Sequence, residues 1–233
     1  MPASDPIPAD KPVEPLMTDL GPRCEIQDWL ILGPFPHPFG AGYTFDFLSK
    51  LGGEANVKPK TGDSVAVKFP DGPDAKAIWK ESQLKPRRIA WQRAKAQHCP
   101  VGTDEDRKAY QEWVDLRPLL GTGEDTDNTC VYAACILRAD KETPVRLCLG
   151  SDDGNVLYVN GKKVGQAVDD RRMYVLDSDV HGATLNAGDN LVIVKVCNAT
   201  GGFNFGMRVT SAATADLAVP GGVAPKGIKV VLP

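Results

Sequence analysis

The chain has 233 residues, 42% of them hydrophobic and 24% charged, and carries a net charge of −3. Its 27 basic and 30 acidic side chains nearly balance, so there is no basic excess of the kind that displaces counterions from nucleic acid. No apolar run approaches the ~20 residues a helix needs to cross a bilayer, so membrane insertion is not expected either.

In chain order, residues 1–22 open with Pro2, Pro6, Pro8, Pro12 and Pro15 and lack the apolar core of a secretion signal. This stretch reads as an extended linker stiffened by proline, and as the start of a piece cut from a longer protein or freed of a leader. Residues 26–32 form a short apolar strand. Gly33-Pro34 and Pro36-His37-Pro38 should break it, because proline cannot donate to a ladder. Residues 45–51 suit one or two helical turns, stopped by Gly52-Gly53.

Residues 54–128 are the least regular part and read as an insertion. Trp79, Trp91 and Trp113 sit there among polar and turn residues. Val65, Val67 and Phe69 alternate as in a short strand, and residues 89–92 and 110–116 are further strand candidates. The basic run Lys85-Pro86-Arg87-Arg88 reads as a solvated loop face. Residues 121–128 form a polar loop.

From residue 130 onward the pattern sharpens. Tyr132, Ala134 and Ile136 share one face of a strand, and Val145, Leu147 and Leu149 share a face of the next. Ser151-Asp152-Asp153-Gly154 is a turn. Residues 156–159 and 162–164 are joined by Asn160-Gly161, the pair that suits a type I′ hairpin turn because both residues tolerate positive φ. Residues 174–176 are a short strand candidate. Val192, Val194 and Val196 share a face within 191–197. Phe203, Phe205, Met207 and Val209 then alternate with polar residues and glycine. Residues 212–233 read as a tail with a hinge at Pro220-Gly221-Gly222 and an added strand at 228–232. Short strands separated by Gly, Asn and Asp turns predict an all-β fold, an antiparallel β-sandwich with short helical elements.

The run Gly150-Ser151-Asp152-Asp153-Gly154, the hairpin at 157–164, the "LNAGDNLVIVKV" stretch at 185–196 and the alternation at 203–208 together resemble a galactose-binding-like jelly roll. The opening Asp28-Trp29-Leu30-Ile31-Leu32-Gly33-Pro34-Phe35 looks like the first strand of such a module. The likeness covers about residues 26–210 and is dense from about 130. It places a single module at 23–211, with the insertion at about 54–128 inside it. Such modules accompany glycoside hydrolases and occur in large bacterial surface or envelope proteins. The resemblance therefore implies a non-catalytic accessory role, extracellular, periplasmic or at the cell surface, with carbohydrate or neighbouring domains as partners. It also implies a structural calcium.

Several residues suit such a role. Asp152 and Asp153 offer oxygen donors to Ca²⁺ or to sugar hydroxyls, or else cap their own turn by accepting backbone N–H bonds. Asn155 follows this pair, and Asn198 and Asn204 lie at strand ends beside Gly201-Gly202. Trp91 and Tyr174 offer rings for a sugar's C–H face, and Arg171 offers planar donors. Trp29, Trp79 and Trp113 read as core filler. Neighbouring carboxylates in one turn rarely straddle a glycosidic bond as a hydrolase needs. His37, His98 and His181 are scattered, with no nucleophile elbow or Walker loop, so no enzyme is expected. The alternatives are a structural module without glycan affinity and, less favoured, a polysaccharide-acting enzyme. Six cysteines without Cys-x-x-Cys or zinc spacing read as mostly free thiols, with at least one disulfide as the alternative.

Overall fold

The computed structural model of the chain describes residues 14–72, 74–98, 112–121, 123–212 and 223–233. Its strands are β1 (Leu16–Asp19), β2 (Asp28–Pro36), β3 (Ser64–Val67), β4 (Arg87–Ala90), β5 (Gln92–Lys95), β6 (Gln97–His98), β7 (Glu112–Asp115) and β8 (Thr129–Ala139). They continue as β9 (Thr143–Asp152), β10 (Gly154–Val159), β11 (Lys162–Ala167), β12 (Asp179–Leu185), β13 (Gly188–Asn198), β14 (Asn204–Ser211) and β15 (Ile228–Leu232). Among the described residues, helical structure is confined to short turns such as Pro38–Tyr43, Ser49–Leu51, Ala75–Ile78 and Glu81–Leu84.

The strands build an all-β antiparallel sandwich. The first sheet runs β1-β15-β8-β13-β10-β11, with β2 also on β8 and β5 on β2. The second runs β12-β9-β14-β7-β6. β8 and β13 pair along their whole lengths, from Thr129↔Asn198 to Ala139↔Gly188. Both faces of this central pair are covered, which is why both strands read as nearly continuous apolar runs. Trp29 and Phe205 meet edge to face across the two sheets at 5.0 Å, and both are fully buried.

The outer face of the first sheet is covered by the 38–57 segment. Lys195 and its cross-strand partner Tyr132 reach into that cover. The fully buried Lys195 Nζ donates to the carbonyls of Gly42 (3.0 Å) and Phe45 (2.9 Å) and pairs with Glu54 at 2.5 Å. The Tyr132 hydroxyl donates to the same Glu54 carboxylate at 2.7 Å. A buried charge is tolerated only when paired and hydrogen-bonded, so this cluster staples the cover to the sheet.

The hairpin at Asn160-Gly161 forms as the sequence predicts, with φ of 50° and 75°, between β10 and β11. Other expectations need correction. Gly33-Pro34 does not end the first long strand: β2 continues to Pro36, and the register slips between Leu32 and Phe35 instead. A Cβ at Gly33 would lie 2.5 Å from Val131, so the strand passes too close to β8 for a side chain there. Residues 174–176 form no strand; the strand is β12, five residues later, and its mixed composition hides it. Residues 45–51 do supply the expected helical turn, at Ser49–Leu51. Within the stretch read as linker, β1 pairs with β15 in register Leu16↔Leu232, so the two chain ends close one edge together. Residues 1–13, 110–111 and the 220–222 hinge lie outside the described residues. Cys130, Cys135, Cys148 and Cys197 are buried free thiols, Cys24 is buried, and Cys99 is outside the description.

Candidate functional site

Two crossovers between the sheets meet at one end of the sandwich. Asp153 is the single residue between β9 of the second sheet and β10 of the first. The chain leaves β13 at Asn198 and enters β14 at Asn204, stepping between the same two sheets. Because β10 pairs with β13 and β9 with β14, both crossovers lie side by side. Asp152 stands opposite Asn204 in the ladder. The Asp153 N–H donates to the Cys197 carbonyl, and its carboxylate accepts the Ala199 N–H at 2.8 Å. Asp153 thus brackets Asn198. The Asp152-Asp153 peptide is cis.

The polar groups here are unusually dry. Asn155, Asn198, Asn204 and Asp153 are at most 4% exposed. The Asn155 amide donates to Ser151 Oγ (2.9 Å) and Asp179 (2.8 Å), and the Asn198 amide donates to the Thr126 carbonyl (3.0 Å). The side-chain oxygens of Asn155, Asn198 and Asn204 have no hydrogen-bond partner among the described residues. Each such buried acceptor costs about 1–3 kcal/mol. An orphan of this kind calls for an ion, a water or a ligand.

Burial raises the pKa of both carboxyls. Asp153 is pushed up to about 6, mainly by desolvation, with the charges of Asp152, Asp170 and Asp169 adding to it against the Ala199 N–H. Asp152 is raised by desolvation, opposed by the Arg117 charge and the Tyr174 backbone N–H. Gly202 accommodates the Asp152 carboxylate: a Cβ there would sit 2.3 Å from its Oδ2. Among the described residues no three His, Cys, Asp or Glu side chains converge as a metal cluster. Besides the two carboxylates, this end holds the carboxamide oxygens of Asn155, Asn198 and Asn204 and the carboxylates of Asp127 and Asp179, which accept from Gly201 and Asn155.

The structure therefore brings together five of the eight sequence candidates: Asp152, Asp153, Asn155, Asn198 and Asn204. Tyr174 lies alongside through its N–H to Asp152, but its half-buried ring packs edge-on to Trp113 at 5.3 Å. Arg171 is exposed on the 168–178 loop, where its N–H donates to Asp169 at 2.9 Å. Trp91 is a correction. It is 2% exposed, belongs to the core, and its backbone is tied to Asp63 and Gly62, so no sugar can reach its ring.

Three residues that the sequence did not single out back this end of the sandwich. The His37 Nδ1 accepts the Gly42 N–H at 3.0 Å, leaving Nε2 to donate to Asp170 at 3.1 Å. The Tyr43 hydroxyl donates to the same Asp170 oxygen at 2.7 Å. That hydroxyl abuts Gly154, where a Cβ would lie 2.2 Å away. The 37–43 loop is thus docked beside Asp153 and carries Phe39, which is 89% exposed with φ of 50°. Nothing in the spacing of residues 37, 43 and 170 announces this contact.

No protein-family model and no curated protein matches the chain. Solved structures do. The PA14 domain of the antifreeze protein MpAFP is 9% identical, with 98% of this chain and 96% of that one covered at a TM-score of 0.38. A PA14 sugar-binding domain from an RTX adhesin is 13% identical over 79% of this chain and 89% of that one, at 0.34. The A domain of epithelial adhesin 9 from Candida glabrata, solved with Galb1-4GlcNAc, is 8% identical over 87% and 90%, at 0.37. At such scores the three share too little geometry with this chain for any site to be carried across.

Proposed function

We propose that this chain is a non-catalytic carbohydrate-binding module whose ligand sits at the end formed by Asp152, Asp153, Asn198 and Asn204. The supporting observation is the set of orphaned carboxamide oxygens on fully buried side chains beside two desolvated carboxylates. The two carboxylates and the orphaned carboxamide oxygens are oxygen donors to a hard cation, and Ca²⁺ takes 6–8 oxygen ligands. Asp152, Asp153, Asn198 and Asn204 would hold the ion, and Gly202 leaves room for the first carboxylate. When bound, calcium supplies positive charge that offsets the two carboxylates and attracts hydroxyl oxygens. The exposed Arg171 can donate to a sugar's outer hydroxyls. Phe39 on the neighbouring loop takes the stacking role that Trp91 cannot fill.

The assignment to the galactose-binding-like group rests on sequence resemblance, and an extracellular or cell-surface setting follows from it as part of the same proposal. The direct test is a glycan array probed with the full chain in calcium and in EDTA. Calcium-dependent hits lost in Asp152→Asn/Asp153→Asn support the reading. A blank array under both conditions would replace it with an interaction module that has no glycan affinity.

A further inference from the structure

On the covered face of the first sheet, a cleft of about 640 Å³ opens between the 35–50 segment and the β3–β4 pair. We propose that this cleft is a second binding site, for a free amphiphilic monoanion with an alkyl body and a carboxylate head. The inference is independent of the glycan reading.

Three features carry it. The first is a preformed apolar wall. Phe45 packs on Phe47 at 4.7 Å, Phe47 stacks on Phe35 at 5.0 Å, and Phe35 meets Tyr132 edge-on at 5.6 Å. The buried Lys195 fixes this ladder by binding the Phe45 carbonyl and lying over the Phe47 and Tyr132 rings at 6.0 and 5.3 Å. Phe45 nevertheless leaves 58% of its surface exposed. The opposite wall is Val65 and Val67 of β3. A wall held in place before binding loses little ordering entropy when a ligand arrives.

The second feature is charge. Lys50, Lys68 and Arg87 are the ionisable residues of the lining, and no carboxylate is among them. Lys68 is engaged by Asp71 at 2.5 Å. Lys50 makes no ion pair among the described residues. Arg87 donates to the Gln83 carbonyl and lies 5.3 Å from the Phe69 ring, while its buried Nε has no hydrogen-bond partner. The lining therefore carries net positive charge, with Asp71 on Lys68 and the Asp125 charge acting on Arg87, beside an apolar wall that complements an alkyl carboxylate. The third feature is size: the volume lies within the roughly 300–1,000 Å³ of small-molecule sites. A cleft of that size suits one such molecule better than a macromolecular surface.

Decanoate, kept below its micelle concentration, is titrated calorimetrically into the full chain. Saturable one-to-one binding is expected. Ala66→Trp places an indole on an exposed strand position that lines the cleft, and should weaken binding by at least about tenfold, equivalent to 1.4 kcal/mol. Lys50→Glu, a surface change that keeps the proposal testable should Ala66→Trp misfold, should weaken it about threefold or more. Asp152→Asn/Asp153→Asn should leave decanoate binding unchanged, which separates this site from the glycan site. Absence of saturable binding would overturn the proposal. So would equal affinity for decanol, insensitivity to both cleft variants, or binding of a proline-rich peptide or anionic phosphatidylglycerol vesicles where decanoate fails.

Discussion

Replacing Asp153 by Asn should make the metal-free protein more stable at neutral pH while abolishing its cation binding. A carboxyl held at about 6 in the fold, against an ordinary value of 3.8, favours folding in its protonated form. That stabilisation is complete below about 3.8 and is lost as the pH rises through about 6. The gap corresponds to at most about 3 kcal/mol. Local relaxation and water penetration around the carboxylate reduce this to about 1–2 kcal/mol. Asparagine removes the charge and keeps an oxygen to accept the Ala199 N–H, so the backbone contact survives. Urea denaturation in EDTA, followed by tryptophan fluorescence, should show parent and variant alike at pH 4 and the variant more stable by about 1–2 kcal/mol at pH 7.5. Calcium should reverse the order, because only the parent gains from the ion. A variant less stable than its parent at pH 7.5 without calcium, or a difference that does not change with pH, would refute the reasoning.

Gly202→Ala should displace the Asp152 carboxylate, whose Oδ2 lies 2.3 Å from the new Cβ position; the calcium-induced rise in Tm should shrink while the metal-free Tm changes little. Lys195→Met strands the Glu54 carboxylate in the cover and should destabilise the fold by about 3–5 kcal/mol, with partial recovery in Lys195→Met/Glu54→Gln, both read by urea denaturation. Trp91→Ala removes a fully packed core ring and should lose about 3–5 kcal/mol of stability; at temperatures where the variant is folded, its glycan-array pattern should match the parent.

The long strands were legible because their chemistry is local. β9 and β14 repeat apolar residues at period two, β8 and β13 are nearly continuous apolar runs, and Asn160-Gly161 marks its own turn. The 54–128 region was harder, because its strands are only two to four residues long and its tryptophans are buried by partners far away in sequence. The sequence predicts an early end to β2 because proline removes a ladder donor, yet the strand absorbs Pro34 by slipping its register. At the candidate site, the carboxylates and asparagines were visible as polar residues interrupting strand ends. Trp91 was misplaced because exposure of an aromatic ring cannot be read from its neighbours. His37 and Tyr43 were missed because they act through Asp170, more than 120 residues away. Lys195 reads as the polar member of an alternating strand, but the cover segment buries it completely.

Calorimetric titration of calcium into the EDTA-treated full chain tests the central claim most directly. One ion per chain with a dissociation constant below about 1 mM, lost in Asp152→Asn/Asp153→Asn, is the result expected if the orphaned oxygens form a cation site. No binding heat and no change in Tm up to about 10 mM calcium would contradict it.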